Sequence, residues 1–192
     1  MGDDTRAVRP DTIGLLEVSS IGLGFAAEDA MLKAASVDLL LARTICSGKF
    51  IVVVGGDVAS VESAVDAGAA AVGSALIEKR VIAQVHPGVF PAIATAVGLA
   101  PDEARALGVI ETFSASSIVD VADTAAKSAD VTLFRVHLAM AIGGKGYVMM
   151  TGDVASVEAA VGAGAQAAAA EGILVGSTVI AAPRPELFRE FV

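Results

Sequence analysis

Apolar and polar positions follow one grammar along this chain, and follow it twice. An apolar run broken by a single acid, residues 13–18 with Glu17, predicts a strand. The Ala-rich segment 25–35 predicts a helix, with Lys33 in its last turn as the helix dipole favours. Two β-rich runs, 37–45 and 50–55, are joined by a tight turn at Ser47-Gly48. Asp57 then stands where an N-cap belongs, and Val58, Val61 and Val65 behind it have the spacing of an amphipathic helix. Residues 80–85 predict a fourth strand, and 87–96 a short helix that closes the unit.

The second half repeats this order. Gly56-Asp57-Val58-Ala59-Ser60-Val61-Glu62 recurs unchanged as Gly152-Asp153-Val154-Ala155-Ser156-Val157-Glu158. Asp29, Lys33, Val37 and Leu39 correspond to Asp123, Lys127, Val131 and Leu133, and Gly48-Lys49 to Gly144-Lys145. The predicted elements are a strand at 107–112, a helix at 119–129, strands at 131–139 and 147–151, a helix behind Asp153 and a strand at 177–182. Two units result, 12–98 and 106–185, joined through a Pro-, Gly- and acid-rich stretch at 98–107. Each reads β-α-β-β-α-β, the split ferredoxin-like pattern, so the fold class is α/β in the α+β sense, a tandem duplication.

Composition narrows the function. A formal charge of −9 argues against nucleic acid, which calls for a basic face. A mean hydropathy of +0.71 raises the question of a membrane. The longest uncharged run, 81–101, is interrupted by Gln84, His86, Pro87 and Pro91 and does not make a spanning helix. Residues 1–11 are polar, with no signal-peptide core, so the expectation is a soluble cytoplasmic protein. The single cysteine excludes a disulfide framework or a multi-cysteine zinc site within one chain.

Several motifs resemble known chemistry without completing it. Gly22-Leu23-Gly24-Phe25-Ala26-Ala27 approximates a dinucleotide fingerprint, but the next strand ends in Arg43-Thr44-Ile45 with no acid for a ribose. Its glycines read as flexible residues in a strand-to-helix turn. Gly48-Lys49 and Gly144-Lys145 lack the earlier glycine and the following Ser or Thr of a P-loop, and read as hairpin turns where glycine supplies positive φ. His86 and His137 occupy unrelated positions of the two units and read as surface or interface residues. Glu17 and Glu111, at equivalent positions, read as a symmetric structural pair. Cys46 stands at a hairpin tip, a poor place for a buried hydrophobe.

The repeated unit resembles the bacterial microcompartment shell domain, and the tandem copy resembles its trimeric two-domain class, most similar to the propanediol-utilisation type. The residues that carry this are the Glu17 strand, Asp29-Ala30-Met31-Leu32-Lys33-Ala34, Ser47-Gly48-Lys49, Gly55-Gly56-Asp57-Val58, Val81-Ile82 and their counterparts in the second unit. The resemblance implies a non-enzymatic shell protein, three chains forming a pseudohexamer that tiles with hexameric shell proteins around encapsulated enzymes. It places Lys33 and Lys127 at the tile edge. It places Cys46, Ser47, Gly48 and Lys49, with Ala141, Ile142, Gly143, Gly144 and Lys145, at a central pore. Some relatives of this type bind an iron–sulfur cluster through a T-I-C-P-G-K turn; here it reads Thr44-Ile45-Cys46-Ser47-Gly48-Lys49, with Ser for Pro. The resemblance thus implies a pore for metabolites, or a 4Fe-4S cluster shared by three Cys46 thiolates on the threefold axis. A soluble redox protein and a ligand-sensing ferredoxin-like domain are the alternatives.

Overall fold

The structure, a computed structural model, describes residues 10–95, 97–99 and 105–189. The middle of the expected join and the end of the C-terminal tail lie outside the described residues. The chain divides into two compact units, one of residues through Ala42 with Phe50–Val85, the other of Arg43–Lys49 with residues from His86 onward.

The first unit is built from β1 (Thr12–Val18), α1 (Ile21–Ala34), β2 (Asp38–Ile45), β3 (Lys49–Gly56), α2 (Val58–Val72) and β4 (Leu76–Ile82). The end of β2 and the turn behind it group with the second unit. Its sheet runs β2-β3-β1-β4, with β1 antiparallel to β3 and to β4. This is the ferredoxin-like strand order that the sequence predicts. β1 is buried along its whole length because strands flank it on both sides and helices cover one face. Leu16, Val18, Phe50, Val52 and Val54 project from the sheet against Met31 of α1 and Val61, Ala64 and Val65 of α2.

Helix α2 starts as its sequence requires. Ser60 N–H donates to Asp57 Oδ1 at 3.0 Å, and the Ser60 hydroxyl donates to Oδ2 at 2.7 Å. Asp153 and Ser156 repeat the pair at 2.9 and 2.7 Å. These donors hold both carboxyls below the ordinary aspartate range. Their folded-state values are depressed, so both caps are at full strength above the unfolded-state pKa and are lost as pH falls through the folded one.

Helix α1 begins earlier than the apolar pattern predicts, at Ile21 rather than Phe25, with Ser20 Oγ accepting from Leu23 N–H at 3.4 Å. Gly22 and Gly24 are therefore helical, not turn residues. Gly24 answers a packing demand: a Cβ there would lie 2.4 Å from Cβ and Cγ of Phe50. Gly22 faces open space. Glycine to alanine in a helix ordinarily stabilises by up to ~1 kcal/mol. Gly22→Ala is expected to raise stability by ~0.5 kcal/mol at this helix end, and Gly24→Ala to lower it by ~1–3 kcal/mol through overpacking. Urea denaturation of the two variants should give midpoints displaced in opposite directions.

The second unit comprises α3 (Val89–Ala94), β5 (Ala106–Thr112), α4 (Ile118–Ser128), β6 (Thr132–Leu138), β7 (Gly146–Gly152), α5 (Val154–Ala170), β8 (Leu174–Ile180) and α6 (Glu186–Arg189). Its sheet order is β6-β7-β5-β8, again antiparallel at each pairing. Even irregularities are duplicated: the β1–β4 ladder shifts register between Glu17 and Val18, and β5–β8 between Glu111 and Thr112. Phe134, Leu107 and Met149 form a cluster with Phe188 of α6, whose ring centroid is 5.8 Å from that of Phe134.

Four expectations are corrected. The short helix α3 does not close the first unit; it packs on β6 and α4 of the second, burying Val89, Phe90 and Ile93. The last strands start earlier than predicted, at Leu76 and Leu174, because an edge strand with one face in water admits Glu78, Lys79 and Arg80. Glu17 and Glu111 are not a symmetric pair, since Glu17 is buried and Glu111 is exposed. His137, expected as a surface or interface residue, is buried within the chain, its ring stacked on Tyr147 at 4.9 Å. Among the described residues no helix is long and apolar enough to cross a membrane.

Candidate functional site

Two turns of the second unit carry the chemistry. The first joins β2 to β3. It is a tight hairpin turn, Cys46–Lys49, in which the two central residues, Ser47 (φ 66°) and Gly48 (φ 71°), both take the left-handed conformation. Gly48 does so without strain. Ser47, where a proline would be impossible at this φ, carries the cost that a side chain brings there.

The second turn joins β6 to β7. Ala139 (φ 56°), Ala141 (φ 64°), Gly143 (φ 68°) and Gly144 (φ 87°) are all left-handed. Such a backbone turns successive N–H groups inward, which makes a concavity for negative charge. Its mouth is closed by Ala139 N–H donating to Lys145 O at 3.0 Å. Its root is pinned by His137, whose Nε2 lies 2.7 Å from Met140 O. Lys145 lies over the Phe113 ring, its Nζ 5.9 Å from the centroid.

Cys46 faces this concavity. The backbone N–H of Gly143 is the largest influence on its thiol and pulls it below the usual range. Partial burial opposes this, and the N–H groups of Gly144, Ile142 and Ala141 reinforce it. The sulfur is partly exposed, so it is both accessible and stabilised as thiolate. Alkylation of Cys46 by iodoacetamide is accordingly expected to reach half its limiting rate at a lower pH than that of an unstructured cysteine peptide measured alongside. A midpoint at or above that of the peptide would show that the amides do not act on the sulfur.

The structure thus brings together Cys46, Ala141, Ile142, Gly143 and Gly144 in one unit. Ser47, Gly48, Lys49 and Lys145 belong to the same two turns. The other predicted residues lie on helix ends. Lys33, in the last turn of α1, donates to Asp29 at 2.6 Å with both side chains exposed. Lys127, in the last turn of α4, donates to Asp123 at 2.6 Å, but here the aspartate is nearly buried and its other oxygen accepts from His86 N–H at 2.7 Å. Among the described residues there is no group of three side chains that could hold a metal ion. Sequence reasoning missed Arg43 and Arg135, which flank the roots of the turns. They stand 92 positions apart, and only the fold makes them neighbours. The one signal was the repeat itself, which aligns Arg43 with His137.

A family model described as the BMC domain matches residues 12–85 and again 106–183. The chain belongs to the BMC-domain family. It is 42% identical over 181 residues to the bacterial microcompartment shell protein PduT of Citrobacter freundii, covering 94% of this chain and 97% of that one. Shorter matches include the shell protein EutK of Salmonella typhimurium, 46% identical over 61 residues, 32% of this chain and 37% of that one. Among solved structures, a microcompartment protein from Desulfitobacterium hafniense superposes with a TM-score of 0.90 at 48% identity, over 94% of this chain and 99% of its own. The fused permuted hexameric shell protein MSM0275 shares the fold at 22% identity, with a TM-score of 0.57 over 82% of this chain and 81% of that one. This BMC-domain chain is a structural microcompartment shell protein with two tandem domains.

Proposed function

We propose that this shell protein is a non-catalytic tile in which three chains surround a threefold axis and their turns meet at a central pore. Six similar units per trimer give a pseudohexamer that packs beside hexameric shell proteins around the enclosed enzymes. The observation that carries the reading of the centre is Cys46, half-exposed at a hairpin tip and turned toward the amides of residues 141–144.

One thiol per chain does not hold an iron–sulfur cluster, but threefold symmetry supplies three thiolates at one point. The donor chemistry fits: the thiol is biased toward its charged form, the form that ligates iron. A 4Fe-4S cluster, when bound, supplies one-electron transfer. The chain's own part is to present the sulfur, to favour its ionised form through the neighbouring N–H groups, and to hold the two turns in fixed relation. Amide hydrogen bonds to cluster sulfurs are one of the means by which a protein sets the potential.

The experiment is purification without oxygen from cells replete in cluster assembly, followed by iron and sulfide assays, a visible spectrum and light scattering. The expected product is a coloured trimer with about four irons per three chains. A colourless, iron-free trimer would instead leave an open pore for metabolites. A monomer at every concentration would overturn the tile itself.

A further inference from the structure

A second cluster of cationic groups lies in the second unit, apart from the cysteine. A cavity of about 50 Å³ is walled by Arg43 at the end of β2, the last residues of α3 through Thr95, and Arg135 and His137 of β6. One water needs ~10–15 Å³, so there is room for about four waters or one small polyatomic ion. There is no room for a nucleotide or an organic cofactor.

The hydrogen bonds fix the charge of the wall. His137 Nε2 lies 2.7 Å from Met140 O, a carbonyl that only accepts, so Nε2 carries the proton and donates. His137 Nδ1 lies 3.4 Å from Arg135 Nη2, an obligate donor, so Nδ1 is the acceptor. The imidazole is therefore neutral, in agreement with its burial and with the two arginines that push its pKa down. The arginines remain charged. Arg43 Nη2 donates to Leu138 O at 2.9 Å, yet its Nε is buried and has no acceptor among the described residues. No carboxylate forms an ion pair with either guanidinium among the described residues. After burial, the like charge of Arg135 is the largest influence that weakens the charged form of Arg43.

Two neighbouring cations in a partly buried cavity, one with an unused donor, repel each other at a site where charge is poorly screened. The geometry points to a binding site for a small oxyanion — a phosphate, sulfate or carboxylate group — held between the guanidinium of Arg43 and that of Arg135. Guanidinium forks match such oxygens in pairs, and a bound anion supplies both the missing acceptor and the countercharge. Neither Cys46 nor its thiolate takes part, so the site is present whatever the metal content of the protein.

The test uses the full chain, purified in chloride, with inorganic phosphate as probe. Thermal unfolding is followed by circular dichroism from 0 to 10 mM phosphate at constant ionic strength. The expected result is a saturable rise in Tm, with at least a tenfold weaker half-effect in Arg135→Gln and partial recovery in Arg135→Lys. A rise that stays linear in phosphate, or one that is the same in Arg135→Gln, would mean general salt action and would overturn the site. If Arg135→Gln does not fold, equilibrium dialysis of the wild-type protein with radiolabelled phosphate decides. Near-stoichiometric binding displaced by sulfate supports the site. The absence of binding in the assembled protein, as when another chain's carboxylate already fills the cavity, refutes it.

Discussion

Replacing Cys46 by alanine is expected to remove all iron and all visible absorbance from protein purified without oxygen, and to leave its oligomeric state unchanged. The two effects separate because the sulfur does little for the fold. It is partly exposed at the tip of a tight turn and lies outside the two hydrophobic clusters described above. Ligation has no such redundancy. With one cysteine in each chain, the substitution would take every thiolate from the proposed axis at once. Cys46→Ser keeps the shape and the hydrogen bonding but offers a poor ligand, so the same loss of iron is expected. Retention of iron by Cys46→Ala would place the metal elsewhere and refute the proposed centre.

The second large effect concerns assembly. Lys33→Ala together with Lys127→Ala is expected to abolish ordered two-dimensional arrays with partner hexamers in electron micrographs, while trimers persist in solution. Stability should change little, because each lysine makes an exposed or half-exposed pair with an aspartate four residues earlier. Such pairs contribute ~0.3–0.5 kcal/mol. The two sites are not equal, however. Asp123 is nearly buried and also accepts from His86 N–H, so Lys127 is held on a fixed support, whereas Lys33 and Asp29 are both free to reorient at the surface. Lys127→Ala alone should therefore impair arrays more than Lys33→Ala alone. Arrays that survive the double substitution would remove these lysines from the tile edge.

Much of this architecture is legible in the residues. The duplicated Gly-Asp-Val-Ala-Ser-Val-Glu segment marks both α2 and α5 with their caps, and the strand order follows from the β-α-β-β-α-β pattern. What is not legible depends on partners distant in sequence. Gly24 looks like a turn residue until Phe50 is seen to occupy the space of its side chain. Glu78 and Lys79 look like a loop because periodicity cannot tell a charged edge strand from a connection. Helix α3 follows the first unit in sequence but finds its apolar surface on β6. The candidate site divides in the same way: the turn residues were found from their glycines and their cysteine. The left-handed φ of Ser47, Ala139 and Ala141 falls on residues other than glycine, and Arg43 meets Arg135 only through the fold, so neither is marked in the sequence.

Cys46 and the amides that attend it come from different copies of the repeat. A ring of identical single-repeat chains has to place the same residue at every turn, so sulfur donors and backbone cradles cannot alternate around it. Joining two copies in one polypeptide lifts that restriction: in this chain one turn carries the thiol and the corresponding turn of the other copy supplies the amides. A tandem repeat thereby permits chemical differentiation between positions that the fold still treats as nearly alike.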